Sequence, residues 1–225
     1  MKLMHKFNKI LTVAAFCLLG FSSLEAQVNV ATEGTIHPTV YKPGEEATLS
    51  IDRMPASYEE FVELQNTVAQ TPEGAIMMEI VAMEMYNRDR ELGKKCLTLA
   101  NTEINVNFMV RHMSDLAVPE DQSGRPYQPA IFFAGATPMN GYNPTEPYTI
   151  QVRTSNVHKY EKVQSLKGYL LYLEVFSEGF DTQWRGVEVI KQKGSEVYKV
   201  HNCPAMVTRC KELDFESPRD YEGLK

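Results

Sequence analysis

The sequence predicts an α+β domain in which three N-terminal helices pack on a C-terminal antiparallel sheet of four to five strands. Two observations support this fold class. Apolar residues recur at helical spacing from residue 57 to 100, whereas apolar and polar residues alternate in short runs after residue 130. A block of helices followed by a block of strands is typical of α+β proteins rather than of alternating α/β proteins. We expect one such domain over residues 55–210.

Residues 1–26 are expected to form a secretory signal peptide that is removed from the exported chain. Three lysines and a histidine precede the apolar run 10–21, which is too short for a bilayer core that needs about 20 apolar residues. Cleavage is expected between Ala26 and Gln27. Cys17 lies within the apolar run and follows a bulky residue, so we expect it to be discarded with the signal rather than lipidated.

The chain is acidic. Its formal net charge of −6 becomes −8 after loss of the signal, which carries three lysines and one glutamate. No basic cluster offsets this balance, which argues against nucleic acid and anionic membranes as partners. No stretch after the signal is long and apolar enough to span a bilayer. We therefore expect a periplasmic or secreted protein with no membrane span.

The exported chain would keep three cysteines. Cys96 fits an apolar helix face and is expected to be a small buried side chain. Exported proteins form disulfides readily, but an odd number of cysteines leaves one thiol over. Cys203 and Cys210 could pair, and the sequence is equally compatible with one disulfide and with three thiols. Their spacing matches no zinc pattern.

Residues 27–54 are predicted to form an extended arm or a short hairpin before the helices. Strand-like pieces at 39–41 and 47–51 flank Pro43-Gly44, and proline followed by glycine is typical of a type II turn. Such a segment would lead the chain from the signal to the first helix.

The first helix is predicted to begin at Ser57, which has the capping-box spacing to Glu60. Four apolar residues then recur at helical spacing: Tyr58, Phe61, Leu64 and Val68. The third helix is predicted from Asp89 to Ala100. The links between the three helices are very short, so neighbouring helices are expected to run roughly antiparallel.

The second helix, residues 72–87, is apolar on almost every side and must therefore be buried on almost every side. Thr71 and Pro72 suit its start. Glu79 and Glu84 are its main charged interruptions, and a buried carboxylate needs a partner, solvent or a raised pKa. Because the two lie about 140° apart around the helix axis, we expect structural roles rather than a catalytic pair.

The segment after the third helix is less regular. Residues 104–108 alternate as a strand would but could equally form a helix-exit loop, and residues 119–129 have the composition of a loop. The later segments predicted to be strands are 130–134, 148–153, 169–176, 184–191 and 196–201, the last two as a hairpin. Residues 211–225 are predicted to be a charged tail.

Several short sequence motifs occur in the same order as in one uncharacterised domain family. They are TPEG at 71–74, ELGKKCL at 91–97, PY at 126–127, GATPMNGY at 135–142 and PYT at 147–149. Over residues 55–205 the chain resembles this family, which is found in exported proteins of gut-type Gram-negative bacteria. The family has a tryptophan in its last strand, where this chain has Tyr198. The resemblance implies export and the domain limits, but no activity. The order of elements is also similar to that of cone-shaped folds of the nuclear-transport-factor type.

The sequence contains none of the common catalytic or phosphate-binding motifs. Its histidines are scattered singly. Four methionines lie in the second helix, and thioethers suit Cu(I), but helical spacing spreads them around the axis and methionine is a common core filler. We therefore expect no metal and no cofactor.

Aromatic loops are the best candidates for ligand or partner binding. Loop 135–147 is rich in proline and asparagine and lies beside tyrosines, which offer aromatic surface with a hydroxyl group. A second candidate is the strand connection that ends at the sole tryptophan. The candidate binding residues are Tyr127, Tyr142, Tyr148, Trp184 and Arg185.

These features favour a non-enzymatic exported domain that binds a peptide, a glycan or another envelope protein. The alternative is a hydrolase or isomerase with a pocket in the concave face of the sheet, which would need Glu79 to converge with His112 or Asp181. A third hypothesis is a structural subunit of a larger assembly, which would carry a large exposed apolar patch.

Overall fold

The computed structural model describes residues 27–116 and 129–211. In these ranges the helices are α1 Tyr58–Val68, α2 Pro72–Arg88, α3 Arg90–Ala100 and α4 Glu103–Leu116. The strands are β1 Val30–Gly34, β2 Glu46–Ile51, β3 Tyr148–Thr154, β4 Glu161–Val163, β5 Gly168–Phe176, β6 Trp184–Ile190 and β7 Lys199–Asn202. The predicted signal peptide, Tyr127 and nearly all of the predicted charged tail lie outside the described residues.

The strands form one antiparallel sheet with the order β1-β2-β3-β5-β6-β7, and β4 pairs with β5. The α+β class is confirmed, but the described chain has four helices rather than three and seven strands rather than four or five. The helices also follow two strands instead of opening the fold. Two of the extra strands, β1 and β2, come from the predicted arm, and β2 pairs with β3, with Leu49 opposite Ile150. The third is the short strand β4.

Residues 104–108 belong to α4, so the predicted strand or loop is wrong. The alternation was misleading because polar Asn105 faces the interior while apolar Ile104 is 70% exposed. Asn105, Met109 and Met113 follow one another at four-residue intervals and are all buried, as one face of a helix requires. Asn105 can be buried because its amide donates to the Asn101 side chain at 2.7 Å.

Residues 130–134 are not a strand, because the chain there forms a 3₁₀ turn at Pro129–Phe132. The backbone N–H of Ala130 donates to Glu84 Oε1 at 2.6 Å. This carboxylate on α2 satisfies a backbone donor that a neighbouring strand would otherwise satisfy. Residues 130–133 are buried, and the Ala134 N–H donates to the Thr149 carbonyl of β3 at 2.8 Å, so the run is held by both a helix and the sheet.

Helix α2 lies at the centre of the core. It packs against α1, α3 and the 3₁₀ turn, and also against β2, β6 and β7. Every residue from Pro72 to Tyr86 is buried, as the apolar circumference predicts. The Thr71 hydroxyl accepts from the Gly74 N–H at 3.1 Å and caps the helix start. None of the described helices combines the length and apolar character needed to cross a bilayer.

The crossing of α2 and α3 depends on Gly93. A Cβ atom at this position would lie 2.0 Å from the Cα of Tyr86, which is far inside van der Waals contact. Only glycine therefore lets the two backbones approach this closely. The contact fixes α3 against the C-terminal half of α2.

Candidate functional site

The sheet has two chemically different faces. The inward residues of its central strands form direct aliphatic pairs such as Val152–Val175 and Leu173–Val187, and each of these side chains is at most 2% exposed. The alternate residues point to the opposite side, which the described helices leave partly exposed. We call this side the open face. It comprises Arg153, Tyr172, Glu174, Phe176, Trp184, Gly186 and Glu188.

Trp184 and Phe176 form the aromatic part of the open face. They lie directly opposite each other on β6 and β5, with ring centroids 5.3 Å apart in an edge-to-face arrangement. The guanidinium carbon of Arg153 lies 4.0 Å from the centroid of the indole. Arg153 also pairs with Glu174 through contacts of 2.7 and 2.8 Å. The aromatic pair is thus held beside a positioned ion pair.

Gly186 leaves a gap in the open face between Trp184 and Glu188. It lies directly opposite Glu174 on β5. A Cβ atom added at Gly186 would meet no other atom within 4 Å. The strand backbone is therefore uncovered at this point, and we call this gap, which has Trp184, Glu174 and Glu188 as its neighbours in the sheet, the depression. Glycine in a strand is typical of positions where a ligand approaches the backbone closely.

Tyr172 continues the open face toward β4. Its hydroxyl lies 3.3 Å from Glu161 Oε2, and its ring lies 5.2 Å from the ring of His158. Burial raises the pKa of Tyr172, and the carboxylates of Glu188 and Glu161 raise it further. The phenol therefore remains a neutral group that can donate and accept hydrogen bonds.

Arg185 is next to Trp184 in sequence but lies outside the open face. Its guanidinium carbon is 4.3 Å from the centroid of the Phe180 ring. Its Nε donates to the Ala205 carbonyl at 2.7 Å, and its Nη2 donates to the Thr208 hydroxyl at 3.0 Å. These contacts tie β6 to the segment after β7. The structure therefore separates the two predicted binding residues, because neighbours along a strand point to opposite faces.

The predicted loop tyrosines lie in the core. Tyr142 is 2% exposed and Tyr148 is 3% exposed. The Tyr142 hydroxyl donates to the Lys211 carbonyl, and the Tyr148 ring packs 5.5 Å from the ring of Phe133. Burial raises the pKa of Tyr142. The two rings brace their loop from within, and ligand binding by this loop remains a prediction.

Helix α2 buries three carboxyl groups that are each at most 1% exposed: Glu73, Glu79 and Glu84. Burial raises the pKa of Glu73, and hydrogen bonds from its surroundings oppose that shift. Glu84 accepts the Ala130 N–H described above. Glu79 begins a chain of polar contacts.

Glu79 Oε2 accepts a hydrogen bond from Asn101 Nδ2 at 2.5 Å. Asn105 links Asn101 to Cys203, whose sulfur lies 3.5 Å from the Asn105 amide nitrogen. Glu79 Oε1 has no hydrogen-bond partner among the described residues. Burial raises the pKa of Glu79 to about 8, although Asn101 opposes the shift, and burial also raises the pKa of Cys203. A thiol kept neutral in this way suits a structural role rather than nucleophilic attack.

The groups that the enzyme alternative required have different partners. His112 Nδ1 lies 2.9 Å from the Phe108 carbonyl oxygen. The Asp181 side chain is 99% exposed and lies 3.5 Å from Lys211 Nζ. Glu79 contacts Asn101 instead of either group. Over residues 27–116 and 129–211, no cluster of histidine, cysteine, aspartate and glutamate side chains could hold a metal ion.

The sulfur-containing residues contribute to the core. The four methionines of α2 are at most 2% exposed, as expected of core fillers. No disulfide joins the cysteines of the described ranges. In this structure Cys96, Cys203 and Cys210 are therefore three thiols. Burial raises the pKa of the Cys96 thiol to about 12.

Sequence reasoning identified Trp184 but missed its neighbours on the open face. The alternation in residues 148–153 placed Arg153 opposite the buried side of its strand. The register that brings Arg153 to Glu174 depends on β3 pairing with β5, which alternation within one strand does not reveal. Gly186 could have been noticed in the sequence, because an isolated glycine in a strand indicates a bulge or a close approach of another group to the backbone.

The pattern described as domain of unknown function DUF6935 matches residues 53–214, which include all four helices and strands β3 to β7. No curated protein and no solved structure matches the chain, so the similarity to cone-shaped folds remains a prediction. The match covers well over half of the sequence. The chain therefore belongs to the DUF6935 family, whose function is unknown.

Proposed function

We propose that this protein is a non-enzymatic exported domain that binds a neutral glycan on the open face of its sheet. The observation that carries the proposal is the Trp184–Phe176 pair beside the depression at Gly186. Flat aromatic rings pack well against the C–H faces of sugar rings, while charged and amide side chains bind the hydroxyl groups. Arg153 and Glu174 lie beside the aromatic pair and would supply hydrogen-bonding groups to such a ligand.

The distribution of apolar surface favours a glycan over a protein partner. In the described part of the chain the large exposed apolar side chains are Val30, Val40, Ile104, Met139, Val157 and Tyr169. None of them belongs to the open face, and they are scattered over several elements. A stable protein interface needs a contiguous apolar centre, which this face does not offer.

The charge of the open face favours a neutral ligand. Glu174 and Glu188 flank Gly186, and Arg153 is already paired with Glu174. An anionic ligand in the depression would meet carboxylates on two sides and would be repelled. The predicted signal peptide supports export, which would bring the domain into contact with cell-surface glycans.

The test is a binding screen with an array of neutral hexose and N-acetylhexosamine oligosaccharides, followed by calorimetry on any positive sugar. We expect Trp184→Ala to weaken binding by about tenfold or more, because an aromatic anchor is lost. Gly186→Val should weaken binding comparably by filling the depression. A Cβ atom at Gly186 meets no atom within 4 Å, so we expect this variant to fold, which circular dichroism would check.

Thr48→Val is the matched control. Thr48 lies on the same side of the sheet but on β2, which β3 separates from β5. This variant should bind as the wild type does. The proposal fails if the wild type binds no neutral glycan, or if binding is unaffected by Trp184→Ala and Gly186→Val. Binding to arrayed peptides alone would point to a peptide ligand and would also refute it.

A further inference from the structure

Strand β1 is the exposed edge of the sheet. All five of its residues are exposed, so neither of its faces is covered, and Val30 is 40% exposed. The opposite edge is different, because Val200 of β7 forms a bridge with Asn101 and accepts a hydrogen bond from the Thr102 N–H at 2.9 Å. Of the two ends of the main strand order, only the β1 edge therefore lacks a backbone partner among the described elements.

The hydrogen bonds to β2 show which backbone groups of β1 point outward. The Asp52 N–H donates to the Asn29 carbonyl, so Asn29 faces β2. In an antiparallel ladder the direction alternates, which turns Ala31 toward β2 and turns the N–H and C=O groups of Val30 and Thr32 toward the open edge. The extended run ends at Gly34, whose φ is +75°.

We infer that two copies of the protein associate by antiparallel pairing of their β1 edges about a twofold axis at Ala31. The N–H and C=O groups of Val30 in one copy would form hydrogen bonds with the C=O and N–H groups of Thr32 in the other. By symmetry, Thr32 of the first copy would pair with Val30 of the second in the same way. Ala31 would face Ala31 of the second copy in the close, non-hydrogen-bonded position. The two sheets would then form one continuous sheet across the dimer.

The side chains of β1 suit this register. Val30 would lie beside Thr32 of the second copy, a β-branched pair that removes an exposed apolar side chain from water. Two small alanines would meet where the strands come closest. Glu33 would lie opposite Asn29, so no like charges face each other. The segment also contains no lysine, no proline and no bulge, the devices that usually prevent edge pairing.

The interface would be small, because only a few residues of each copy contribute. Stable dimers usually bury at least about 1,200 Å² in total, so a contact of this size should associate weakly and reversibly. The expected state is a concentration-dependent equilibrium between monomer and dimer. The open face of each copy would remain accessible in the dimer, and the inference therefore does not depend on the proposed glycan binding.

The first test is sedimentation velocity over a range from low to high micromolar protein. The wild type should shift from monomer toward dimer as concentration rises. Thr32→Pro should remain monomeric, because proline removes the outward N–H and places its ring at the edge. The N–H of Thr32 makes no bond to β2, so the variant should keep its circular dichroism and melting temperature.

Thr32→Val is the matched control, since it keeps the outward N–H and the β-branched shape. It should dimerise as the wild type does. A wild type that stays monomeric at every concentration refutes the inference. The inference is refuted in that case even if the β1 edge pairs with a different protein. A dimer that persists in Thr32→Pro also refutes it, because the interface must then lie elsewhere.

The register can be tested by oxidative cross-linking in a background with Cys17→Ser and Cys210→Ser. Ala31→Cys should form a disulfide-linked dimer rapidly, because the two Cα atoms would lie about 4.5 Å apart, within disulfide range. Glu33→Cys lies on the same side of the strand but would be far from its copy, so it should not cross-link. Equal cross-linking of both variants, or of neither, refutes the register.

Discussion

Gly93 and Gly186 show how differently the two sides of the sheet are built. At Gly93 in the helix layer, an added Cβ would lie 2.0 Å from the Tyr86 backbone, whereas at Gly186 on the open face it would touch nothing within 4 Å. The first glycine lets two helices pack closely, and the second leaves room at the surface. The same residue type therefore indicates a packing constraint on one side and an accessible depression on the other.

The largest expected effect comes from adding a methyl group at Gly93. Gly93→Ala should lower the free energy of unfolding by about 3 kcal/mol, because α2 and α3 must separate to accept the Cβ. Urea denaturation followed by circular dichroism would measure the loss. A variant with wild-type stability would show that α3 can shift at little cost, and that the contact at Tyr86 does not constrain the helix layer.

The second effect concerns Glu79 on the buried side. Its pKa is raised from 4.5 to about 8, so the folded state binds a proton that the unfolded state releases. Its contribution to stability is fully present below pH 4.5 and is lost as the pH rises through about 8. Within that window the free energy of unfolding should fall as the pH rises, because the unfolded state releases a proton that the folded state keeps.

Glu79→Gln should remove that slope and make the protein more stable than the wild type at pH 8. The glutamine side-chain oxygen can still accept from Asn101. Urea midpoints measured from pH 5 to 9 would compare the two proteins. Parallel pH profiles for variant and wild type would assign the titration to another group.

The smallest effect is expected on the open face. Gly186→Ala should raise the free energy of unfolding by about 0.5 kcal/mol, because alanine restricts the unfolded chain and meets no neighbour in the strand. Differential scanning calorimetry of Gly186→Ala and Gly93→Ala would compare the melting temperatures of the two variants under the same conditions. Destabilisation by Gly186→Ala would mean that the depression is already filled, and it would weaken the case for a binding site there.

The first three helices were largely predictable because their signals are local. The Ser57 hydroxyl accepts from the Glu60 N–H at 3.2 Å, as the spacing predicts. The Glu60 carboxylate departs from the predicted capping box, because it accepts from the Ala56 N–H at 2.7 Å and pairs with Arg53 instead. Arg53 lies before the helix, and its competition for the carboxylate has no local sequence signal.

The open face was only partly predictable because it depends on contacts between distant strands. Trp184 could be named as a candidate because it is the sole tryptophan, but its neighbours Phe176 and Arg153 come from other strands. The burial of the loop tyrosines was not predictable for a related reason. A tyrosine with a hydroxyl partner can be fully buried, and the partner of Tyr142 is the distant Lys211 carbonyl.

The pairing of β2 with β3 also constrains the order in which the molecule assembles. Leu49 and Ile150 are about 100 residues apart, and the loop they close contains the whole helix layer. Contacts of such high contact order form slowly, so the helices should collapse before the sheet is complete. During that interval the side of α2 that packs against β2, β6 and β7 is not fully covered, and the partly folded domain should be prone to aggregation until these strands are in place.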